Sequence, residues 1–189
     1  MGGGWSYYGE ERMSRVVSLL LLVVSISFAG SSVNSSASVS PRCRTSQLRI
    51  TLARTGAVMG EEGGYLRFTN KNETVCRISG WPIAVALEPS GKKVWSHHAV
   101  HGTMLGGWSN NRPLPVMTLR PAASAYAVIA GVDVGSPTKL CPSSRWLSVS
   151  PPGDSRRARL SAWLRNDRTY LPLCGLYVSA VVPLSALAH

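Results

Sequence analysis

Apolar and polar residues alternate along Leu48-Arg49-Ile50-Thr51-Leu52-Ala53, and this period of two is the strongest constraint on the fold. Alternation at that period buries one face of an extended chain and leaves the other wet, which is the signature of a half-buried strand. The pattern recurs at Tyr65 to Asn70, where Leu66 and Phe68 face one way and Tyr65, Arg67 and Thr69 the other. It recurs again at Ala123 to Ala130, at Trp146 to Val149, and at Ala158 to Leu164. Ile83, Val85 and Leu87 alternate with alanines, so that strand is apolar on both faces and belongs to a sheet centre. Val75 to Ile78, Lys92 to Trp95, Val116 to Leu119 and Leu176 to Val182 read as further extended segments. Turn signals separate them: Asn70-Lys71-Asn72-Glu73, Pro89-Ser90-Gly91 and Pro151-Pro152-Gly153-Asp154, with a glycine-rich connection from Gly56 through Gly60 to Gly64. No amphipathic helix follows residue 30. The expected fold is all-β, an antiparallel β-sandwich of immunoglobulin-like type with eight or nine strands.

The start of the chain bounds the compartment. Met13-Ser14-Arg15 leads into the apolar run Val16 to Phe28, and small residues follow at Ala29 and Gly30. This is the layout of a signal peptide over residues 1–30, with Met13 as an alternative start of translation. A membrane-spanning helix takes about 20 apolar residues, and the run is shorter. Cys43 lies too far downstream to carry a lipid, so release without a stable membrane anchor is expected. Residues 31–41 form a flexible Ser-rich leader. Residues 42–189 then make one β-sandwich domain.

Cys43, Cys76, Cys141 and Cys174 are an even set in a chain expected to leave the cytoplasm, so disulfides are their default state. Four cysteines allow three connectivities. The equal spacing of the two sequential pairs favours Cys43–Cys76 and Cys141–Cys174, each worth roughly 3–4 kcal/mol in loop-closure entropy. No Cys-x-x-Cys spacing points to structural zinc.

The landmarks together resemble a family of secreted and lipoprotein domains of actinobacteria catalogued as domain of unknown function 4232. They are Cys43 with Leu48; Gly64-Tyr65-Leu66-Arg67-Phe68-Thr69-Asn70; Thr74-Val75-Cys76-Arg77-Ile78-Ser79-Gly80-Trp81-Pro82; Thr118-Leu119-Arg120-Pro121; Cys141; and Cys174-Gly175-Leu176-Tyr177-Val178. The likeness runs over residues 43–183. The chain departs from it at Pro121-Ala122, where the family often has Pro-Gly, and at Trp81, where it often has Tyr. The resemblance implies a β-sandwich outside the cytoplasm and no particular activity.

The net charge is +11, and removing residues 1–29 takes away two acids and two arginines, which leaves it unchanged. The basic residues are spread along the chain, their tightest group being Arg156-Arg157-Ala158-Arg159, and no aromatic-interleaved basic patch of the nucleic-acid kind stands out. Nucleic acid is therefore not an expected partner. A basic surface outside the cell instead suits an acidic polymer or protein of the envelope, or anionic head groups.

The long polar stretch from Ser96 to Arg112 is the expected binding loop, since loops of that length are functional or mobile. Its candidate contacts are Trp95, His97, His98, His101, Met104, Trp108, Asn110 and Asn111. Trp108 on a Gly/Asn loop suits a glycan or protein contact. His97, His98, His101 and Met104 combine imidazole with thioether, which suits copper, so a copper-handling protein is the alternative reading. No carboxylate stands nearby to orient an imidazole, and no cofactor is expected. Catalysis has little to stand on. No Gly-x-Ser-x-Gly elbow occurs, the acids lie singly in turns, and the cysteines are expected to be oxidised. The expected function is a secreted, non-enzymatic binding module.

Overall fold

In the computed structural model of the chain, described over residues 39–87, 90, 92–96, 98, 99, 106–108, 113–134, 141–166 and 168–187, the alternation at Leu48 opens strand β1 (Leu48–Val58). The chain reverses at Met59-Gly60 into β2 (Glu61–Asn70). Both turn residues have positive φ, 46° and 82°, the backbone that fits a tight hairpin to the twist of its strands. The glycine-rich stretch expected as a connection is therefore strand on both sides of the Met59-Gly60 turn. Its glycines report crowding: a Cβ on Gly63 would stand 2.0 Å from the Ile129 carbonyl oxygen.

The remaining strands are β3 (Cys76–Ile78), β4 (Ile83–Leu87), β5 (Lys93–Ser96), β6 (His98–Ala99), β7 (Met117–Leu119), β8 (Ser124–Val132) and β9 (Ser143–Ser144). After them come β10 (Trp146–Ser150), β11 (Ala158–Ser161), β12 (Trp163–Leu164), β13 (Thr169–Pro172) and β14 (Gly175–Val178). The described residues thus hold fourteen strands where eight or nine were expected. Several are two-residue pieces that period-two reading passes over. One expected strand, Ala158 to Leu164, is divided at Ala162. There the backbone N–H donates to the Arg145 carbonyl and the carbonyl accepts from Leu171, so the chain leaves one sheet for another. The strand expected to reach Val182 stops at Val178. Beyond it the buried Ser179 hydroxyl takes the Val128 N–H at 2.8 Å.

A five-stranded sheet has the order β1-β2-β8-β14-β6, and a four-stranded sheet the order β11-β10-β4-β5. Smaller sheets join β12-β13-β9 and β3-β7. Pairing is antiparallel except between β14 and β6. One buried cluster draws on both larger sheets, with Leu48, Ile50, Leu66 and Phe68 from the first and Ala84, Ala86, Leu147 and Val149 from the second. A second cluster lies on the other face of β8, where Val128 meets Val182 and Leu187. The chain is all-β with two disulfides, and the bridges are Cys43–Cys76 and Cys141–Cys174, as the equal spacing favoured.

The corner after β2 shows how the first bridge is placed. Asn70 is fully buried. Its Nδ2 donates to the carbonyls of Thr74 and Leu119 at 2.8 and 3.0 Å, and its Oδ1 accepts the Asn72 N–H at 3.0 Å. Burial without loss of hydrogen bonds makes this asparagine a structural hub. Its own carbonyl accepts the N–H of Ala122, which has a φ of 63°. That left-handed backbone costs an alanine about 1–2 kcal/mol and a glycine almost nothing. A glycine at this point, which the resemblance led one to expect, would avoid that cost. Among the described residues no helix is long and apolar enough to cross a membrane.

Candidate functional site

Of the residues expected to form the binding loop, His97, His101, Met104, Asn110 and Asn111 lie outside the described residues. The stretch is not loop throughout: His98 and Ala99 form β6, paired in parallel with Tyr177 and Val178. Hydrogen bonding to β14 explains why polarity alone mistook these residues for loop. The backbone of Trp95 lies in β5 opposite Ala86. Trp108 is half-buried and packs against the cluster of Val128, Val182 and Leu187. Among the described residues no group of three or more His, Cys, Asp or Glu side chains could hold a metal ion.

The structure gathers a different set of side chains at the Cys43–Cys76 end. The leader's last residues run beside β3: the Cys43 N–H donates to the Arg77 carbonyl, and the Arg77 N–H to that of Pro41, both at 2.8 Å. Arg42 and Arg77 are thereby brought side by side. Arg77 is steadied by its Nε, which donates to the Ser40 carbonyl at 2.8 Å. Arg42 lies over the turn after β10. A Cβ on Gly153 would stand 2.9 Å from its guanidinium, and Gly153 has a φ of 77°, so glycine suits that turn on both counts.

Two adjoining clefts result. One, of about 320 Å³, is lined by Arg42, Arg77, Ser79, Gly80 and the apolar Ile78, Leu114, Val116 and Pro152. The other, of about 270 Å³, is lined by Pro41, Arg42, Cys43, Arg44, Gly153, Asp154 and Arg156. Arg42 belongs to both.

Asp154 holds the second cleft in shape. Its carboxylate accepts the Thr45 N–H at 2.7 Å and the Arg156 N–H at 3.0 Å, and the Thr45 hydroxyl donates to the Arg156 carbonyl. The backbone donation from Thr45, then that from Arg156, lowers the Asp154 pKa to about 2. Hydrogen bonds to the charged form favour it.

With these landmarks in place, the family model described as Domain of unknown function (DUF4232) matches residues 43–176. The chain belongs to this family. The match begins at the first bridged cysteine and ends within β14, short of the expected residue 183. No curated protein and no solved structure matches the DUF4232 chain.

The same DUF4232 domain carries a second gathering that its sequence does not announce. Arg159 lies 4.4 Å above the Trp146 ring. Arg145 lies 5.6 Å from the centre of the Tyr170 ring, and its Nε donates to the Tyr170 hydroxyl at 3.2 Å. Trp163 meets Tyr170 edge to face at 4.9 Å and is 39% exposed. Aromatic and basic side chains thus meet in space although they do not interleave along the chain. Strand pairing sets Trp146 opposite Ser161 and Trp163 opposite Tyr170, joining residues that are distant along the chain. The arginine clefts were missed for the same reason. The available hint was Arg156 to Arg159, the densest basic group in the chain.

Proposed function

We propose that the chain is a non-enzymatic, extracytoplasmic binding module, and that its ligand is an anion held at the two clefts that share Arg42. That sharing is the observation that carries the reading. A guanidinium offers a fixed fork of donors that matches carboxylate and phosphate geometry, and several forks around one opening favour anions strongly. The apolar side of the larger cleft adds room for an uncharged part of the ligand. Asp154 supports binding over catalysis. With a pKa near 2 and both oxygens engaged by backbone N–H groups, it is a poor proton acceptor at neutral pH. The two disulfides support an oxidising compartment. The sheet orders support an immunoglobulin-like sandwich as the scaffold. β1-β2-β8 follows the A-B-E order of that fold, and β11-β10-β4-β5 the G-F-C-C′ order.

Calorimetric titration of the purified protein with polyglutamate at low and high salt tests the reading. Micromolar or tighter binding at low salt is expected, weakened at least tenfold in the Arg42→Ala/Arg77→Ala double variant. Equal binding by that variant, or none by the parent protein, would overturn it.

A further inference from the structure

We infer that the clefts are one end of an extended track, and that the ligand laid along it is an acidic polysaccharide. This deepens the anion reading above and rests on it. The β10–β11 hairpin joins the two gatherings. Its connecting turn supplies Gly153, Asp154 and Arg156 to the smaller cleft. From there Arg159 projects from the face opposite Leu160, which is in the core, and so lies on the outer side. Trp146 is under its guanidinium, Ser161 is opposite Trp146, and Trp163 stands two residues further on. Arg156 to Trp163 reaches at most about 23 Å at roughly 3.3 Å per residue, longer than one sugar ring.

Charge and geometry select the occupant. Between Ser143 and Pro172 the one described carboxylate is Asp154, against arginines at 145, 156, 157, 159, 165 and 168. Asp167 within this stretch, and Glu88, which follows the Leu87 that pairs with Trp146, lie outside the described residues. A guanidinium held over an aromatic ring keeps N–H groups available to a bidentate acceptor. That pairing of a flat ring with a planar donor fork suits a chain whose every unit has an apolar ring face and a carboxylate. Single-stranded nucleic acid needs clear aromatic faces for base stacking. Here Arg159 lies over Trp146 and Arg145 over Tyr170, which leaves the exposed Trp163 to meet a single sugar ring while the arginines meet the carboxylates of the units beside it. An acidic peptide offers charge and no ring.

Titrate the full-length purified protein with oligogalacturonates of two, four and six units, with polyglutamate, a neutral oligosaccharide and single-stranded DNA as comparators. Affinity should rise at least tenfold from dimer to hexamer. Trp163→Ala/Tyr170→Ala and Arg159→Lys should erase that gain while keeping dimer binding, and Arg42→Ala/Arg77→Ala should weaken the dimer itself. Circular dichroism and thermal melts establish that each variant is folded. Dimer binding with no gain in length overturns the track and leaves the cleft reading standing. Tighter binding of polyglutamate or DNA than of the hexamer overturns the glycan assignment. Loss of every anion, polyglutamate included, overturns the cleft reading as well.

Discussion

The two larger sheets use their outer faces differently. Strand β8 of the five-stranded sheet is buried on both sides. Ala125, Ala127 and Ile129 face the shared core, while Val128 is covered by Val182 and Leu187 from the end of the chain, with Tyr65, Tyr126 and Trp108 around them. Among the described residues no apolar cluster covers the outer side of the β10–β11 pair, and Arg159 lies over the Trp146 ring there. A face closed by apolar packing contributes stability and can touch no ligand. A face with half-buried rings and arginines gives up that packing and keeps recognition groups in water. Sequence reading placed the binding surface after Trp95, where Trp108 takes part in the closed face. The open face lies across the molecule's other sheet.

Substitutions can break or sharpen this contrast. Phe68→Ala, in the core common to both sheets, should cost about 3–5 kcal/mol in urea unfolding, since a fully buried aromatic leaves a large cavity. Leu187→Ala, in the cover of β8, should cost about 2–3 kcal/mol. Arg159→Ala on the open face should cost at most about 1 kcal/mol, the scale of an exposed cation–π pair. The contrast fails if Arg159→Ala destabilises as much as Leu187→Ala.

Smaller effects address the corners that orient the sheets. Ala122→Gly should stabilise by about 0.5–1 kcal/mol, as relief of a positive φ outweighs the added freedom of the unfolded chain. A lower melting temperature in this variant would contradict the strain assigned to Ala122. The Asp154 carboxyl has its folded pKa lowered from 3.8 to about 2. A depressed pKa stabilises the fold above the unfolded value, so its contribution is complete above about pH 4 and is lost as pH falls toward 2. An NMR titration of this carboxyl should show the low midpoint, and Asp154→Asn should flatten the stability profile across that window. An ordinary midpoint near 3.8 would remove the Thr45 and Arg156 contacts from the account.

Much of the scaffold was legible beforehand. The alternation at Leu48 to Leu52 buries Leu48 and Ile50 as its period requires. Asn70 to Glu73 reverses the chain, and the cysteine spacing gave the bridges. Gly63 and Gly64 were misread as loop, because a glycine that admits a neighbouring backbone looks the same in sequence as one that bends a turn. The candidate site was scarcely legible. Arg42 and Arg77 are separated by all of β1 and β2, and only the bridge of backbone beside Cys43–Cys76 makes them neighbours.

By itself, then, the sequence determined the class of fold and the disulfide partners. Those properties rest on local periodicity and covalent chemistry, which a linear text records. Which of the many scattered arginines share a cleft or lie over a ring was decided by the tertiary structure. Strand register sets those neighbours, and it arises from pairing and core packing between segments far apart in the chain.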